Sequence, residues 1–447
     1  MICVTPGNAA LLVDLYELTM ADSYHRRGMN HAATFDLFIR ELPPQRNFLV
    51  ACGLDEALAY LENLSFDPDA VSYLRSLHLF SDDFLDRLAD LAFTGEVCAI
   101  PEGEIAFAGE PLLRVTAPLV EAQIVETFLL NCLTFQTMVA SKAARVAIAS
   151  GERQFVDFSA RRTHGADAAL KAARAAYVAG AAATSNVLAG QAYGIPVTGT
   201  MAHSYVMAFP TEVDAFRAFT NDFPSHTTLL IDTFDTREGA RRAARVAHEL
   251  QRHGSILAGV RLDSGDLAEL SRATRAILDD AGLSDVTIIA SGDLDEYRIA
   301  DLVAEGAPIG SFGVGTQLGT SGDAPSLGGV YKLVAEDGEP KMKLSTGKLT
   351  LPGIKQVFRT SSGGLYESDV VGLEHEDVEG VPLLQQVMKA GRRVLDREPL
   401  GGIRKRCRDS LSRLPQDVRS LERRTRFPVR RSPRLDELVS ESASVPH

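Results

Sequence analysis

Apolar positions in LLVDLYELTMADSYHRRG (11–28) recur at helical spacing and stop at Gly28, so the segment predicts a helix. ATFDLFIREL (33–42) alternates between apolar and polar residues, and Pro43–Pro44 ends it, which predicts a strand. Residues 55–64 and 68–92 read as helices, 95–118 as short strands broken by Gly and Pro, and 120–150 as one long apolar helix.

From about 120 to 335 the pattern becomes rhythmic. An apolar run is followed by a polar loop and then by a helix. QFVDF leads into SARRTHG and then DAALKAARAAYVAG. TLLID leads into TFDT and a helix, LAGVRL into DSGD and a helix, and VTIIA into SGD and a helix, with IGSFGVG following. Asp266 with Glu269, and Asp293 with Glu296, predict helix N-caps, and Gly254, Gly282 and Gly306 predict helix ends. Alternating β and α with short links implies a parallel sheet, and five or six such units suggest an irregular, TIM-like α/β barrel. The expected domains are an N-terminal α/β domain over 1–118, the barrel over 119–335, and a C-terminal segment over 336–447. In that last segment 336–359 reads as a lysine-bearing β region with turns at Asp337–Gly338 and Pro352–Gly353, and 432–447 as a disordered tail.

Composition narrows the class. The 447 residues carry a formal net charge of −13, which argues against nucleic acid or an anionic membrane surface as a partner. No apolar run is long enough to cross a bilayer, and the N-terminus does not read as a signal peptide. Cys3, Cys52, Cys98, Cys132 and Cys407 are scattered without a CxxC pair, which predicts reduced thiols in a cytoplasmic protein. One stretch runs against the acidic balance: residues 404–434 hold 12 Lys/Arg against 3 acids, read as a solvated helix and tail, with polyphosphate attraction or RNA contact as the alternative and no interleaved aromatics in favour of RNA.

The chemistry-bearing residues fall in the loops after the strands. Asp157, Arg161, His203, Asp232, Arg261, Asp263, Asp293 and the Gly313/Gly315 pair all sit there, at the end of a barrel where reacting groups gather. Helix capping accounts for some of the acids, but not for Arg161, Arg261 or His203. Arg261 and Asp263 stand two apart around a strand end, as a mutual salt bridge or as ligands to phosphate and ribose. His203 has no second His at i+3 or i+4, which leaves a structural role, general acid/base work or nucleophilic chemistry. IGSFGVGTQLG (309–319) and SGD (291–293) are small turns whose backbone N–H groups can approach a phosphate. No lysine ends a core strand, against Schiff-base chemistry.

The strings DLYELTMADSY, FDLFIRELP, DFSARRTHG, ATSNVLAG, GTMAHS, GVRLDSGD, SGDLDEY, FGVGTQL and LPGIKQV occur in this order from about residue 10 to about 430. Together they resemble the nicotinate phosphoribosyltransferases. The resemblance implies an irregular α/β barrel of the type II phosphoribosyltransferases, with a second α/β domain built from both chain ends. It implies an enzyme of NAD salvage that converts nicotinate and phosphoribosyl pyrophosphate into nicotinate mononucleotide and pyrophosphate, coupled to ATP hydrolysis and using Mg2+. It also implies a homodimer with shared active sites. Carried onto this chain, His203 matches the histidine that ATP phosphorylates. Phe158 and, from the other subunit, Tyr16 match the aromatics around the pyridine ring. Arg161, Arg261 and Asp263 match substrate and ribose contacts, and Gly292, Asp293, Gly313 and Gly315 match the turns at the ribose and 5′-phosphate. Arg40 and Lys343 are candidates for pyrophosphate or ATP contacts across the dimer. Ser185 matches a position that is aspartate in nicotinamide-using relatives. One departure is visible: the family's usual Gly before Thr-Ser-Asn is Ala183 here. The rival readings are a nicotinamide phosphoribosyltransferase, a quinolinate enzyme with a more basic pocket, and a catalytically silent nucleotide-binding paralogue.

Overall fold

The computed structural model of the protein describes residues 4–225, 227–344, 350–422 and 425–444. The chain divides into two units, one from Met1–Ser141 with Ser326–His447, the other from Lys142–Pro325.

The rhythmic middle of the sequence forms the second unit. Its five strands are all parallel, in the order Gln154–Asp157, Ser311–Val314, Thr287–Ala290, Gly259–Leu262 and Thr228–Leu230. Parallel bridges from Asp157 to Thr184 and from Thr184 to Val197 extend the array. Among the described residues no ladder joins Val197 to Thr228–Leu230. Because the strands run one way, the loops that leave them collect at one rim.

Local chemistry sets the helices between the strands. Asp266 caps Leu267–Asp280, its carboxylate accepting from Ala268 and Glu269 N–H. Such a cap contributes about 1 kcal/mol. Asp235 caps Thr236–Arg252 in the same way. That helix turns Ala240, Ala243, Ala244 and Ala247 inward. Gly239 at its start is required by contact: a Cβ there would lie 2.0 Å from the Ile231 carbonyl oxygen. One expected cap is corrected. Asp295, not Asp293, caps Glu296–Ala304. Glu296 is instead a buried ion-pair partner, holding Lys142 and accepting from Arg145 Nε at 2.8 Å. Removing one partner of such a cluster leaves a buried charge uncompensated.

The first unit interleaves the two chain ends. Its seven-stranded sheet runs Glu339–Pro340, Gly329–Glu336, Ala32–Ile39, Pro111–Pro118, Glu96–Ala99, Gln385–Lys389 and Arg392–Arg393. A four-stranded sheet holds Val381–Pro382, Lys355–Ser362, Leu365–Leu373 and Val429–Arg431. The buried Lys355 ammonium lies 2.9 Å from Asp36 and so ties one sheet to the other.

The unit boundaries differ from those expected. Leu119–Ile124 and most of the expected barrel's first helix belong with the chain ends, and so does Gly329–Glu336. That strand pairs antiparallel with Ala32–Ile39, a partner that a local pattern does not reveal. The single helix expected over 68–92 is two, Pro68–Ser76 and Asp82–Ala89, separated near His78, whose φ is +55°. Pro433–Ser444 is a helix where a disordered tail was expected. Leu435 on it is fully buried, a burial that contributes roughly 1.5–3 kcal/mol and outweighs the polar composition around it. Residues 445–447 lie outside the described part.

Candidate functional site

The rim of the parallel unit brings Arg261, Asp263 and His203 together. Arg261 lies in the strand Gly259–Leu262 and points its guanidinium at three partners. Nη2 donates to Asp263 Oδ1 at 2.6 Å, Nε to Ser291 Oγ at 2.8 Å and Nη1 to Thr200 Oγ1 at 2.9 Å. Ser291 Oγ in turn donates to Asp263 Oδ1 at 2.5 Å. The mutual salt bridge allowed by the sequence is therefore present, and it fixes the carboxylate rather than merely neutralising it. Asp263 Oδ2 is turned the other way and lies 3.8 Å from His203 Nε2. Burial pushes the Asp263 carboxyl up. The Ser291 hydrogen bond, the Arg261 charge and hydrogen bond and the His203 charge outweigh that and hold it below the usual carboxylate range.

His203 opens the short helix His203–Met207, and its side chain is 41% exposed. Its Nδ1 meets Thr233 Oγ1 at 3.1 Å. In the neutral tautomer whose Nδ1–H donates to Thr233 Oγ1, Nε2 carries the lone pair on the side of Asp263.

Asp232, which follows the strand Thr228–Leu230, braces the next loop. Its Oδ2 accepts from Asp263 N–H at 2.9 Å and from Ser264 Oγ at 2.6 Å. Its Oδ1 is buried with no hydrogen-bond partner among the described residues. Asp157 is occupied structurally. Its carboxylate accepts from Ser159 N–H at 2.9 Å and Thr184 Oγ1 at 2.7 Å, which joins two loops.

Phe158 leaves the same strand end, with the Arg261 guanidinium 5.4 Å from its ring centroid. The ring lies over Gly313, where a Cβ would come within 2.5 Å of it. Gly292 is fixed by both criteria that require glycine: its φ is +93°, and a Cβ would lie 2.0 Å from the Asp263 carbonyl oxygen. Asp293 beside it has φ +47°, a left-handed conformation that aspartate tolerates and other side chains adopt rarely. Gly315 follows the strand Ser311–Val314 and starts the short helix Thr316–Gly319. Arg161 is exposed and makes no ion pair among the described residues. Ser185 is half-buried, and the cap of Val187–Tyr193 is its neighbour Asn186.

Three expected site residues belong to the other unit. Arg40 and Lys343 line one cavity of about 510 Å³, and Lys332, which was not expected, lines it with them. Tyr16 is exposed at the start of Leu15–Arg26 and meets Glu126, which in turn lies 3.8 Å from the Lys332 ammonium. Burial, and then the charges of Glu126 and Glu17, raise the pKa of its hydroxyl. Sequence reasoning missed Thr200, Thr233 and Lys332, because a lone hydroxyl or lysine carries no spacing signal. It read SGD as a turn without finding that Ser291 holds Arg261 and Asp263.

A parallel α/β unit with an arginine–aspartate pair, a histidine and glycine turns at one rim is the architecture of a loop-site α/β enzyme. Residues 11–134 match the nicotinate phosphoribosyltransferase N-terminal domain, 153–334 the nicotinate phosphoribosyltransferase family, and 365–439 the nicotinate phosphoribosyltransferase C-terminal domain. The chain is 50% identical over 440 residues to nicotinate phosphoribosyltransferase pncB2 of Mycobacterium tuberculosis, covering 98% of this chain and 94% of that one. It is 43% identical to the Bacillus subtilis nicotinate phosphoribosyltransferase, over 83% of this chain and 77% of the relative. The crystal structure of human nicotinic acid phosphoribosyltransferase superposes with a TM-score of 0.87 at 31% identity, covering 96% of this chain and 99% of that one. This chain belongs to the nicotinate phosphoribosyltransferase family.

Proposed function

We propose that the rim of the parallel unit forms nicotinate mononucleotide and pyrophosphate from nicotinate and phosphoribosyl pyrophosphate, a step of NAD salvage, coupled to ATP hydrolysis. The observation that carries this reading is the Arg261–Asp263–His203 arrangement at the strand ends. Displacement at the anomeric carbon builds positive charge on the ribose. A carboxylate held ionised by Arg261 and Ser291 is suited to hydrogen-bond the ribose hydroxyls while that charge develops. The Phe158 face orients the pyridine ring, and Ser185 offers a hydroxyl to its carboxylate. Arg161 is free to meet an anionic group, and the turns at Gly292–Asp293 and Gly313–Gly315 present backbone to the 5′-phosphate.

His203 is the proposed phosphate acceptor. Nε2 attacks the γ-phosphorus of ATP, the N–P bond forms as the bond to the bridging oxygen breaks, and ADP leaves. Thr233 steadies the other ring nitrogen. Arg261 pairs with Asp263, so the phosphorylated ring does not face an uncompensated carboxylate.

Among the described residues no group of three or more His, Cys, Asp or Glu side chains is arranged to hold a metal. The unpaired buried Asp232 Oδ1 nevertheless fits a magnesium ion that takes most of its ligands from substrate phosphates and water. Such an ion would neutralise pyrophosphate charge.

The protein is proposed to act in the cytoplasm as a homodimer, with Tyr16, Arg40 and Lys343 of one copy serving the rim of the other. The shared basic cavity of Arg40, Lys332 and Lys343 supports a pyrophosphate role for that group. Among the described residues no helix is long and apolar enough to cross a membrane. Product analysis with nicotinate, nicotinamide and quinolinate, each with and without ATP, tests the reading. Nicotinate should be the preferred base, and a preference for either of the others would overturn it.

A further inference from the structure

Much of the basic run 404–434 is neutralised where it stands. Lys405 pairs with Asp409 at 2.5 Å, Arg406 with Glu398 at 2.7 Å, Arg431 with Asp436 at 2.8 Å and Arg434 with Glu437 at 3.1 Å. Arg426 is different. It makes no ion pair among the described residues, and it lines a cavity of about 380 Å³ together with Arg40 and Arg46.

Several features make this a built cavity. Arg46 is only 2% exposed, so its charge is held in the wall rather than in open solvent. Phe107 and Phe427 stack with centroids 4.1 Å apart and planes 8° off parallel, which gives the cavity a stiff apolar side. Asn47 accepts from Thr425 N–H at 3.0 Å and donates to the Ser420 carbonyl at 3.1 Å. The segment that carries Arg426 is thereby tied to the one that carries Arg46. Among the described residues Glu41 is the only acid lining the cavity, and neither Arg40 nor Arg426 pairs with it.

Arg40 and Arg426 line one space and make no ion pair among the described residues, so in a chain of net charge −13 their two guanidinium groups repel one another unless an anion offsets them. The planar fork of arginine matches phosphate oxygens, and the space holds about a dozen waters' worth of ligand. We propose that this cavity is a second anion site, taking a di- or triphosphate group, separate from the cavity of Lys332 and Lys343. The ligand is an inorganic oligophosphate or the phosphate tail of a nucleotide. Arg40 lines both cavities, so an anion in one weakens the hold of the other. The inference rests on the proposed function only for what fills the neighbouring cavity.

The test is calorimetric titration of the full chain with tripolyphosphate, without magnesium. The unmodified protein should show a binding class that Arg426→Glu weakens at least about tenfold and Lys343→Ala leaves in place. Arg426 is exposed, so the variant should melt with the parent, and turnover at saturating substrates should be unchanged. Arg426→Gln removes the charge without reversing it and should give the same loss at smaller size, so a folding defect in the reversal does not decide the matter. Competition with ATP separates the sources. Tighter binding than tripolyphosphate at this class assigns a nucleotide, and equal binding assigns the inorganic anion. Tripolyphosphate binding that neither Arg426 variant alters would overturn the proposal, whatever the outcome with the three pyridine bases.

Discussion

Arg261 Nη2 donates to Asp263 Oδ1 at 2.6 Å, and this contact decides which carboxylate oxygen stays open at the rim. With Oδ1 taken by Arg261 and Ser291, Oδ2 is the oxygen that faces His203. A lysine at 261 keeps the charge but cannot reach Asp263, Ser291 and Thr200 at once. Losing charge-assisted hydrogen bonds of this kind costs roughly 1.5–3 kcal/mol. Arg261→Lys should therefore lower kcat/KM about a hundredfold while the protein stays folded. Steady-state kinetics beside a thermal melt check this, and near-normal kcat/KM would mean that Asp263 does not need to be held.

His203→Ala should abolish any acid-labile, base-stable label from γ-labelled ATP and remove the stimulation by ATP. Slow ATP-independent turnover should survive, because Phe158, Asp263 and the glycine turns remain. A label that persists in the variant assigns the phosphate to another residue.

Ser185 is not the cap of Val187–Tyr193, because Asn186 does the capping. An aspartate at 185 would set carboxylate against carboxylate when nicotinate binds. Two like charges about 4 Å apart repel by roughly 4 kcal/mol at an effective dielectric near 20. Ser185→Asp should cut nicotinate turnover at least about tenfold and leave nicotinamide use unchanged or raised. Competing-substrate assays measure this, and equal loss for both bases would make the residue structural.

Glu17 gives a pH signature of stability. Burial first, and the charges of Glu126 and Asp14, outweigh its hydrogen bonds from Thr127 and raise its pKa to about 7. The folded carboxyl thus holds its proton more tightly than the unfolded one. Its contribution is full below the ordinary carboxylate range and is lost as pH rises toward 7. Glu17→Gln should flatten this loss, so that the variant gains on the parent between pH 5 and 8. Urea unfolding at several pH values tests the sign, and a gain confined to low pH would contradict it.

Much of the rim was legible because it depends on local pattern. The βα rhythm set the strands, Asp266 declared its cap, and Gly292 sits where both a positive φ and the Asp263 carbonyl leave room for nothing larger. What was not legible depends on distant partners. Gly329–Glu336 looks like a strand of either unit until Ala32–Ile39 pairs with it. Leu435 looks like part of a polar tail until its burial is seen. Asp293 reads as the cap from its spacing to Glu296, but its backbone is left-handed and Asp295 accepts from the Arg298 N–H instead. Thr200 and Thr233 acquire meaning from Arg261 and His203, which are far from them in sequence or in another loop.

The central claim is that this rim joins nicotinate to the ribose. The most direct measurement is mass-resolved product formation by the purified chain from nicotinate and phosphoribosyl pyrophosphate with magnesium, with and without ATP. Nicotinate mononucleotide and pyrophosphate should appear in equal amounts, and faster with ATP. Folded protein that yields no nicotinate mononucleotide at saturating substrates would contradict the account and leave a silent nucleotide-binding relative.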